Sequence, residues 1–227
     1  MTSGSDNPQE AKPVVWTIVV AGGSGSRYGG LKQFDRLGGR RIVDRAIDAA
    51  RAVSRGVVVV VPEGSDSGEY EGVDSVVVGG ESRADSVRAG LGQVPSNAEI
   101  VVVHDAARPL ASRALFDAVI SAVAEGADGA IPGIPVADTL KRALVDANGN
   151  RRVEMTIERD NVVAVQTPQA FRASLLRHAH ESGDHTTDDA HLVEAAGGSV
   201  VIVDGDHRNF KVTTPSDMAL AETLLVD

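Results

Sequence analysis

Glycines and basic residues follow the first apolar segment of the chain. The stretch "TIVVAGGSGSRYGGLKQF" covers residues 17–34 and places Arg27 and Lys32 among and just beyond its glycines. Because glycine has no Cβ, backbone N–H groups in such a loop can approach an anion closely. Two cations in the same loop could stabilise the negative charge that develops when a phosphorus centre is attacked. The loop therefore predicts phosphate binding and phosphoryl or nucleotidyl transfer.

Two other glycine-rich motifs have to be compared with this loop. A P-loop requires Ser or Thr directly after its lysine, and because Gln33 follows Lys32 this motif is excluded. The dinucleotide-binding fingerprint fits Gly23-Ser24-Gly25 and finds Asp44 at the distance of a ribose-binding acid, but Tyr28 replaces its third small residue. A nicotinamide enzyme and a turn that binds nothing therefore remain alternatives. Neither of them explains "SRYGGLKQF".

Composition restricts the class of protein. The 227 residues are 42% hydrophobic and 24% charged, which is ordinary for one globular domain. The net charge of −10 gives no general attraction to nucleic acid or an anionic membrane, so local cations must meet any bound phosphate. The chain has no cysteine, which excludes disulfides and thiolate chemistry. We recognise neither an export signal nor a membrane span, and we expect a cytoplasmic protein.

The elements that would position the loop can be predicted from the hydrophobic pattern. Short β-branched segments alternate with segments of helical period, which predicts an α/β fold with a Rossmann-like, mainly parallel sheet flanked by helices. The strands should be buried on both faces because they are almost continuously apolar. Residues 1–13 are expected to form a flexible tail and residues 14–227 a single domain. The predicted strands are 14–21, 57–61, 75–78, 100–104, 130–134, 162–165 and 200–203, and the clearest helices are 42–53 and 115–123.

One segment departs from this alternation. Residues 137–159 contain two extended stretches around Asn148-Gly149, a pair that strongly favours a hairpin turn. The segment predicts a protruding β-arm. An isolated two-stranded ribbon is only marginally stable in water, so the arm needs a surface to pack against. That surface is either a second copy of the chain or the arm's own domain.

Seven segments occur in a characteristic order between Val14 and the C-terminus. They are "AGGSGSRYGGLKQF", "GGESRADSVRAGL", "VHDAARP", "VADTLKR", "VQTPQAF", "TTDDAHLVEAAGG" and "FKVTTPSDMALAE". Together they resemble the 2-C-methyl-D-erythritol 4-phosphate cytidylyltransferase family. The resemblance implies a nucleotidyltransferase that uses CTP and a polyol phosphate in non-mevalonate isoprenoid biosynthesis and releases pyrophosphate. It also implies Mg²⁺ or another divalent cation, and a homodimer formed through the β-arm.

The same resemblance implies roles for individual residues. Catalysis is expected from Arg27, Lys32 and Lys211. The acceptor is expected at Asp105, Arg108, Thr139, Arg159 and Thr187, and Asp105 is also a candidate metal ligand. Nucleotide binding is expected from residues of three loops, namely Ala21, Gly22, Gly23, Gly25, Gly80, Glu81, Ser86 and Ala106.

Each of these segments also has a purely structural interpretation. "GGESRADSV" alone predicts a helix cap with Arg83 and Asp85 in solvent, and Asp105 and Thr187 could likewise cap helices. Lys211 by itself would be a solvated surface residue. Two further functions remain open: a ribitol 5-phosphate cytidylyltransferase, and a nucleotide-binding module without catalysis. Pyrophosphate release with each of the two polyol phosphates would distinguish the first from the expected enzyme. Binding of CTP without turnover of any polyol phosphate would indicate the second.

Overall fold

The elements of this fold are taken from a computed structural model that describes residues 12–23, 28–65, 70–181 and 188–225. The predicted flexible tail lies, up to residue 11, outside the described residues. The strands are β1 (Val15–Val20), β2 (Arg36–Leu37), β3 (Arg40–Arg41), β4 (Gly56–Val61), β5 (Ser75–Val78), β6 (Ile100–Asp105), β7 (Gly129–Pro135), β8 (Leu140–Val145), β9 (Arg151–Ile157), β10 (Val163–Val165), β11 (Gln169–Arg172) and β12 (Val200–Asp204). The helices are α1 (Ile42–Arg51), α2 (Arg83–Leu91), α3 (Arg113–Ala124), α4 (Ala173–Glu181), α5 (Asp189–Ala195) and α6 (Pro215–Leu225).

The central sheet is mixed and mostly parallel. In the described part of the chain it has eight strands, in the order β10-β7-β11-β6-β1-β4-β5, and β12 pairs with β7. Strands β1, β4, β5 and β6 run parallel, as do β7 and β12, whereas β10 and β11 are antiparallel to their neighbours. The chain passes from β1 outward to β4 and β5, and then returns to β6 on the other side of β1. This reversal of direction opens a crevice at the carboxyl ends of β1 and β6.

Helices cover both faces of the sheet. On α1, the predicted apolar positions Val43, Ala46 and Ile47 are buried together with Phe116 of α3 against one face. Helices α2, α4 and α5 cover the opposite face, where Leu176 is fully buried. Successive strand residues alternate between these two cores because side chains along a strand point to opposite faces. The predicted Rossmann-like architecture with flanking helices is therefore confirmed.

The expectation that the strands are buried on both faces holds for the central strands and is wrong for the marginal ones. Strands β4 and β6 are buried along their whole length, but β5, β10 and β12 are partly exposed. Val78 of β5 is 53% exposed and Ile202 of β12 is 57% exposed. These strands lie toward the margins of the sheet, where the helices cover them only in part. An apolar run in the sequence does not distinguish a central strand from a marginal one.

Residues 140–157 form a hairpin of their own. Strands β8 and β9 pair with each other as a separate antiparallel sheet with an irregular register at Arg142/Ala143. The turn between them contains Gly149 with a φ of +80°, a conformation that favours glycine. A hairpin is therefore present around Asn148-Gly149, while its use as a dimerisation arm stays a prediction. Among the described helices, none is long and apolar enough to cross a bilayer.

Candidate active site

A cleft of about 520 Å³ opens at the carboxyl ends of β1, β5 and β6. Three loops that are far apart in sequence meet there, because the strands that carry them run parallel and lie close together in the sheet. This is the edge at which open α/β sheets bind their ligands. The lining residues are Val20, Ala21, Gly22, Gly23, Lys32, Gln33, Gly80, Glu81, Ser82, Arg83, Ser86, Asp105, Ala106, Ala107 and Lys211.

The loop after β1 is held by a buried glutamine. Gln33, which is 4% exposed, donates from Nε2 to the carbonyl oxygens of Ala21 at 2.8 Å and Gly23 at 3.1 Å. Lys32, one residue earlier, lines the cleft. At Gly23 an added Cβ would meet no atom within 4 Å, so a ligand can approach this backbone from the cleft. Two of the predicted residues, Gly25 and Arg27, lie outside the described residues.

The loop after β5 ends in a tightly capped helix. Ser82 Oγ accepts a hydrogen bond from the Asp85 N–H at 3.0 Å, and the Asp85 carboxylate accepts one from the Ser82 N–H at 3.1 Å. This reciprocal capping box fixes the start of α2. It also holds Ser86 in the cleft, where its hydroxyl donates to the Ser82 carbonyl at 3.0 Å. The predicted residues Gly80 and Glu81 line the same part of the cleft.

Asp105, at the end of β6, is shared by two cations. Its Oδ1 accepts a hydrogen bond from Arg83 Nε at 3.2 Å, and its Oδ2 accepts one from Lys211 Nζ at 2.7 Å. Burial alone would raise the pKa of Asp105, but the positive charges of Arg83 and Lys211 outweigh it and hold this pKa well below its usual range. Asp105 is therefore ionised at neutral pH, and its contact holds the partly exposed Lys211 side chain at the cleft.

His104 is buried directly behind Asp105 and connects it to a neighbouring loop. Its Nε2 lies 3.2 Å from the Arg108 carbonyl oxygen, which can only accept, so the neutral ring carries its proton on Nε2. Nδ1 then accepts from the Thr167 hydroxyl at 3.2 Å, and the same hydroxyl oxygen accepts from the Asp105 N–H at 3.0 Å. Burial lowers the pKa of His104 to about 4, so the ring is neutral at pH 7. This chain of hydrogen bonds fixes the backbone on which Asp105 stands.

The predicted acceptor residues do not all converge on this cleft. Arg108 is not among the residues that line the cleft, and it donates to the carbonyl oxygens of Asn209 at 2.7 Å and Val165 at 3.3 Å. Thr139 and Arg159 are exposed at the base of the hairpin, where the Arg159 guanidinium donates to the Ala137 carbonyl oxygen. Thr187 lies outside the described residues. Within the described part of this chain, the acceptor set is therefore represented in the cleft by Asp105.

The sequence matches the family described as IspD, 2-C-methyl-D-erythritol 4-phosphate cytidylyltransferase, over residues 15–227. The chain belongs to this family. The cytidylyltransferase of Frankia casuarinae is 45% identical over 223 residues, which cover 95% of this chain and 82% of that protein. The one of Rhodococcus jostii is 44% identical, with 95% and 97% covered. The crystal structure of the cytidylyltransferase from Thermus thermophilus has a TM-score of 0.78 at 32% identity and covers 96% of this chain and 100% of its own.

One prominent residue of the cleft has no role among those that the resemblance implies. Arg83, which the local sequence pattern placed in solvent, has a side chain only 19% exposed between two carboxylates, those of Asp105 and Asp189. Its partners are 22 and 106 residues away along the chain, so no local signal could identify them. The role of Gln33 was also missed, because no residue pattern shows that its side chain folds back onto the backbone carbonyl oxygens of Ala21 and Gly23.

Proposed function

We propose that this chain transfers the cytidylyl group of CTP to 2-C-methyl-D-erythritol 4-phosphate, giving 4-diphosphocytidyl-2-C-methyl-D-erythritol and pyrophosphate in isoprenoid biosynthesis. The observation that carries the proposal is the meeting of a glycine loop, a capped polar loop and two lysines in one cleft. The family assignment supports the substrates, because the relatives named above are cytidylyltransferases for this acceptor.

Binding of CTP divides between two of the loops. The backbone N–H groups of Gly22 and Gly23 lie at the carboxyl end of β1, where the triphosphate is accommodated, whereas the Ala21 N–H already donates to the Val60 carbonyl oxygen. Gly80, Glu81 and Ser86 present polar groups at the start of α2, where the cytosine edge is recognised. The buried Ser86 hydroxyl is fixed by the Ser82 carbonyl, so it offers the base a defined position.

The reaction needs no protein nucleophile. A phosphate oxygen of the acceptor attacks the α-phosphorus of CTP, the new P–O bond forms, and the bond to the β-phosphate oxygen breaks with its electron pair leaving on pyrophosphate. Because the attacking phosphate is already anionic, catalysis consists of in-line positioning and stabilisation of negative charge. Lys32 and Lys211 line the cleft and serve this role, together with Arg27 as the sequence predicts.

A divalent cation fits this donor set. Mg²⁺ prefers oxygen ligands and is commonly held by one or two carboxylates together with substrate phosphates. In the described part of the cleft, Asp105 and Glu81 supply the carboxylates, and Asp105 stands beside the cations that would face the triphosphate. Bound there, Mg²⁺ would neutralise charge on the phosphates. Asp105 would have to release part of its contact with Lys211, which then becomes available to the nucleotide.

The hairpin of β8 and β9 supports a homodimer. Leu144, Val145, Val153 and Met155 are 48% to 69% exposed on this two-stranded sheet, and such a ribbon is marginal unless it packs against another surface. Thr139 and Arg159 at its base stand outside their own chain's cleft. A second copy of the chain would cover the apolar side chains and receive Thr139 and Arg159 in its acceptor site.

The catalytic proposal is tested by pyrophosphate release from CTP and Mg²⁺ with each polyol phosphate in turn. We expect turnover with methylerythritol phosphate and little with ribitol 5-phosphate. Lys32→Ala should lower kcat by on the order of a hundredfold or more while the protein stays folded, because one charge-stabilising group is lost. Lys12→Ala is the matched control, since Lys12 is exposed outside the fold, and it should act like the parent. Near-normal turnover by Lys32→Ala would refute the assigned role.

The shared site is tested by combining two inactive variants. Co-expression of Lys211→Ala and Arg159→Ala chains with different tags yields heterodimers in which one site carries both substitutions and the other carries neither. Such heterodimers should regain about half of the parent activity if Arg159 acts in the partner's site. Heterodimers of Lys32→Ala and Lys211→Ala should stay inactive, because each site then lacks one lysine. Inactivity of the first pair, or a monomer in sedimentation, would exclude the arrangement.

A further inference from the structure

A row of hydrogen-bonded ionisable side chains runs from the cleft into the helical layer. Lys211 and Arg83 share Asp105, and Arg83 Nη1 also donates to Asp189 Oδ2 at 2.6 Å. The other oxygen of Asp189 lies 3.1 Å from His180 Nε2. The side chains of Asp189 and His180 are only 1% and 2% exposed. The row therefore begins at the cleft and ends where water does not reach.

Asp189 is held in one position by this arrangement. A buried carboxylate must be paired and hydrogen-bonded. Each Asp189 oxygen has one donor, which is Arg83 for Oδ2 and His180 for Oδ1. Burial alone would raise the pKa of Asp189, but the charge of Arg83 and the hydrogen bond from His180 keep it below its ordinary value. Asp189 therefore stays ionised and gives the Arg83 guanidinium a fixed counter-charge.

The row joins four parts of the fold. Arg83 begins α2, Asp189 begins α5, His180 belongs to α4 and Asp105 ends β6. Arg83 lines the cleft, whereas Asp189 and His180 do not. Any effect of Asp189 on the reaction must therefore pass through Arg83, which makes Asp189 a positioning residue.

We propose that Asp189, supported by His180, holds Arg83 so that the Asp105 carboxylate is divided between Arg83 and Lys211, which leaves Lys211 able to turn to the triphosphate. This inference rests on the proposed function. Without the Asp189 anchor, the guanidinium loses its fixed orientation, and Asp105 pairs with Lys211 alone. The nucleotide phosphates then have to compete with a buried carboxylate for the same ammonium group.

The primary test is Asp189→Asn, compared with Asp117→Asn. Asp117 is an exposed residue of α3 that pairs with Arg113 and does not line the cleft, so its variant makes the same change in charge outside the site. We expect Asp189→Asn to lower kcat at least about tenfold, because small displacements of positioned groups have effects of this size. The loss in kcat should exceed any rise in KM for CTP, and Asp117→Asn should match the parent. A loss confined to KM, or one explained by the unfolded fraction, overturns the proposal.

Non-additivity separates positioning from mere stability. Arg83→Lys keeps the charge but cannot reach two carboxylates with a planar fork, so it should show a similar loss. The double variant Arg83→Lys/Asp189→Asn should be no slower than the slower single variant within about twofold, because both changes break one unit. If the kcat loss of the double variant equals the product of the two single losses, the proposal is contradicted. If Asp189→Asn does not fold, His180→Leu takes its place and should lower kcat at least about threefold, whereas parent-like kcat overturns the proposal.

A crystal structure of Asp189→Asn tests the inference independently of activity. We expect Arg83 Nε to leave hydrogen-bonding range of Asp105, from its present 3.2 Å. An unchanged contact overturns the positioning role whatever the rate. If the parent chain releases no pyrophosphate at all, the proposed function fails, and this structural measurement still decides whether Asp189 positions Arg83.

Discussion

Acidification should destabilise the fold through His104 before it affects the carboxylates. His104 is fully buried and neutral, and its pKa of about 4 lies below the 6.5 of an unfolded histidine. Between these values the unfolded chain binds more protons than the folded chain. The contribution of His104 to stability is therefore complete above about pH 6.5 and is lost progressively as the pH falls toward 4.

The size of the effect follows from the two pKa values of His104. For one group with these values, the free energy of unfolding should fall by about 2 kcal/mol between pH 7 and pH 5. The whole shift corresponds to about 3 kcal/mol. Asp105 and Asp189, whose pKa values are lowered from the ordinary 3.8, lose their own contributions only at still lower pH. The interval from pH 7 to pH 5 therefore isolates histidine.

Urea unfolding at both pH values measures this difference, with His104→Gln as the reference variant. Glutamine keeps a donor and an acceptor near Thr167 and the Arg108 carbonyl but does not titrate. Subtracting the pH dependence of the variant from that of the parent removes the contribution of every other histidine. The reasoning is refuted if the two proteins lose the same free energy between pH 7 and pH 5.

Two further substitutions test the packing that supports the cleft. Gly80→Ala should displace the start of α2 and weaken CTP binding at least about tenfold in calorimetry, because its Cβ would stand 2.3 Å from Asp85 Cβ. Gly92→Ala at the other end of α2 meets its nearest atom at 3.4 Å and should bind like the parent, so equal affinities of the two variants would contradict this account. Phe116→Ala should lower the free energy of unfolding by about 3–5 kcal/mol in urea, since Phe116 is fully buried against His104, and a loss below about 1 kcal/mol would exclude that role.

The sequence alone determined most of the sheet and its helices. The strand predicted at 75–78 has these bounds in the structure, and the strands predicted at 57–61 and 100–104 each extend by one residue. The spacing of apolar residues follows from the local geometry of a strand or helix, so it can be recognised in the sequence without knowing the tertiary contacts. The same pattern missed β11, a four-residue strand, and could not indicate that it runs antiparallel to β6 and β7.

The candidate site divides in the same way. The glycine loop could be identified from residue types, whereas Lys211 and the segment around Gly80 were implied only by the family resemblance. The structure brings their described residues to one cleft. The burial of Arg83 could not be identified from the sequence, because its partners Asp105 and Asp189 come from distant parts of the chain. Residue type and spacing carry local preferences for strand, helix and turn. Pairing of charges across 106 residues and exclusion of water from them exist only once the sheet and its helices have packed.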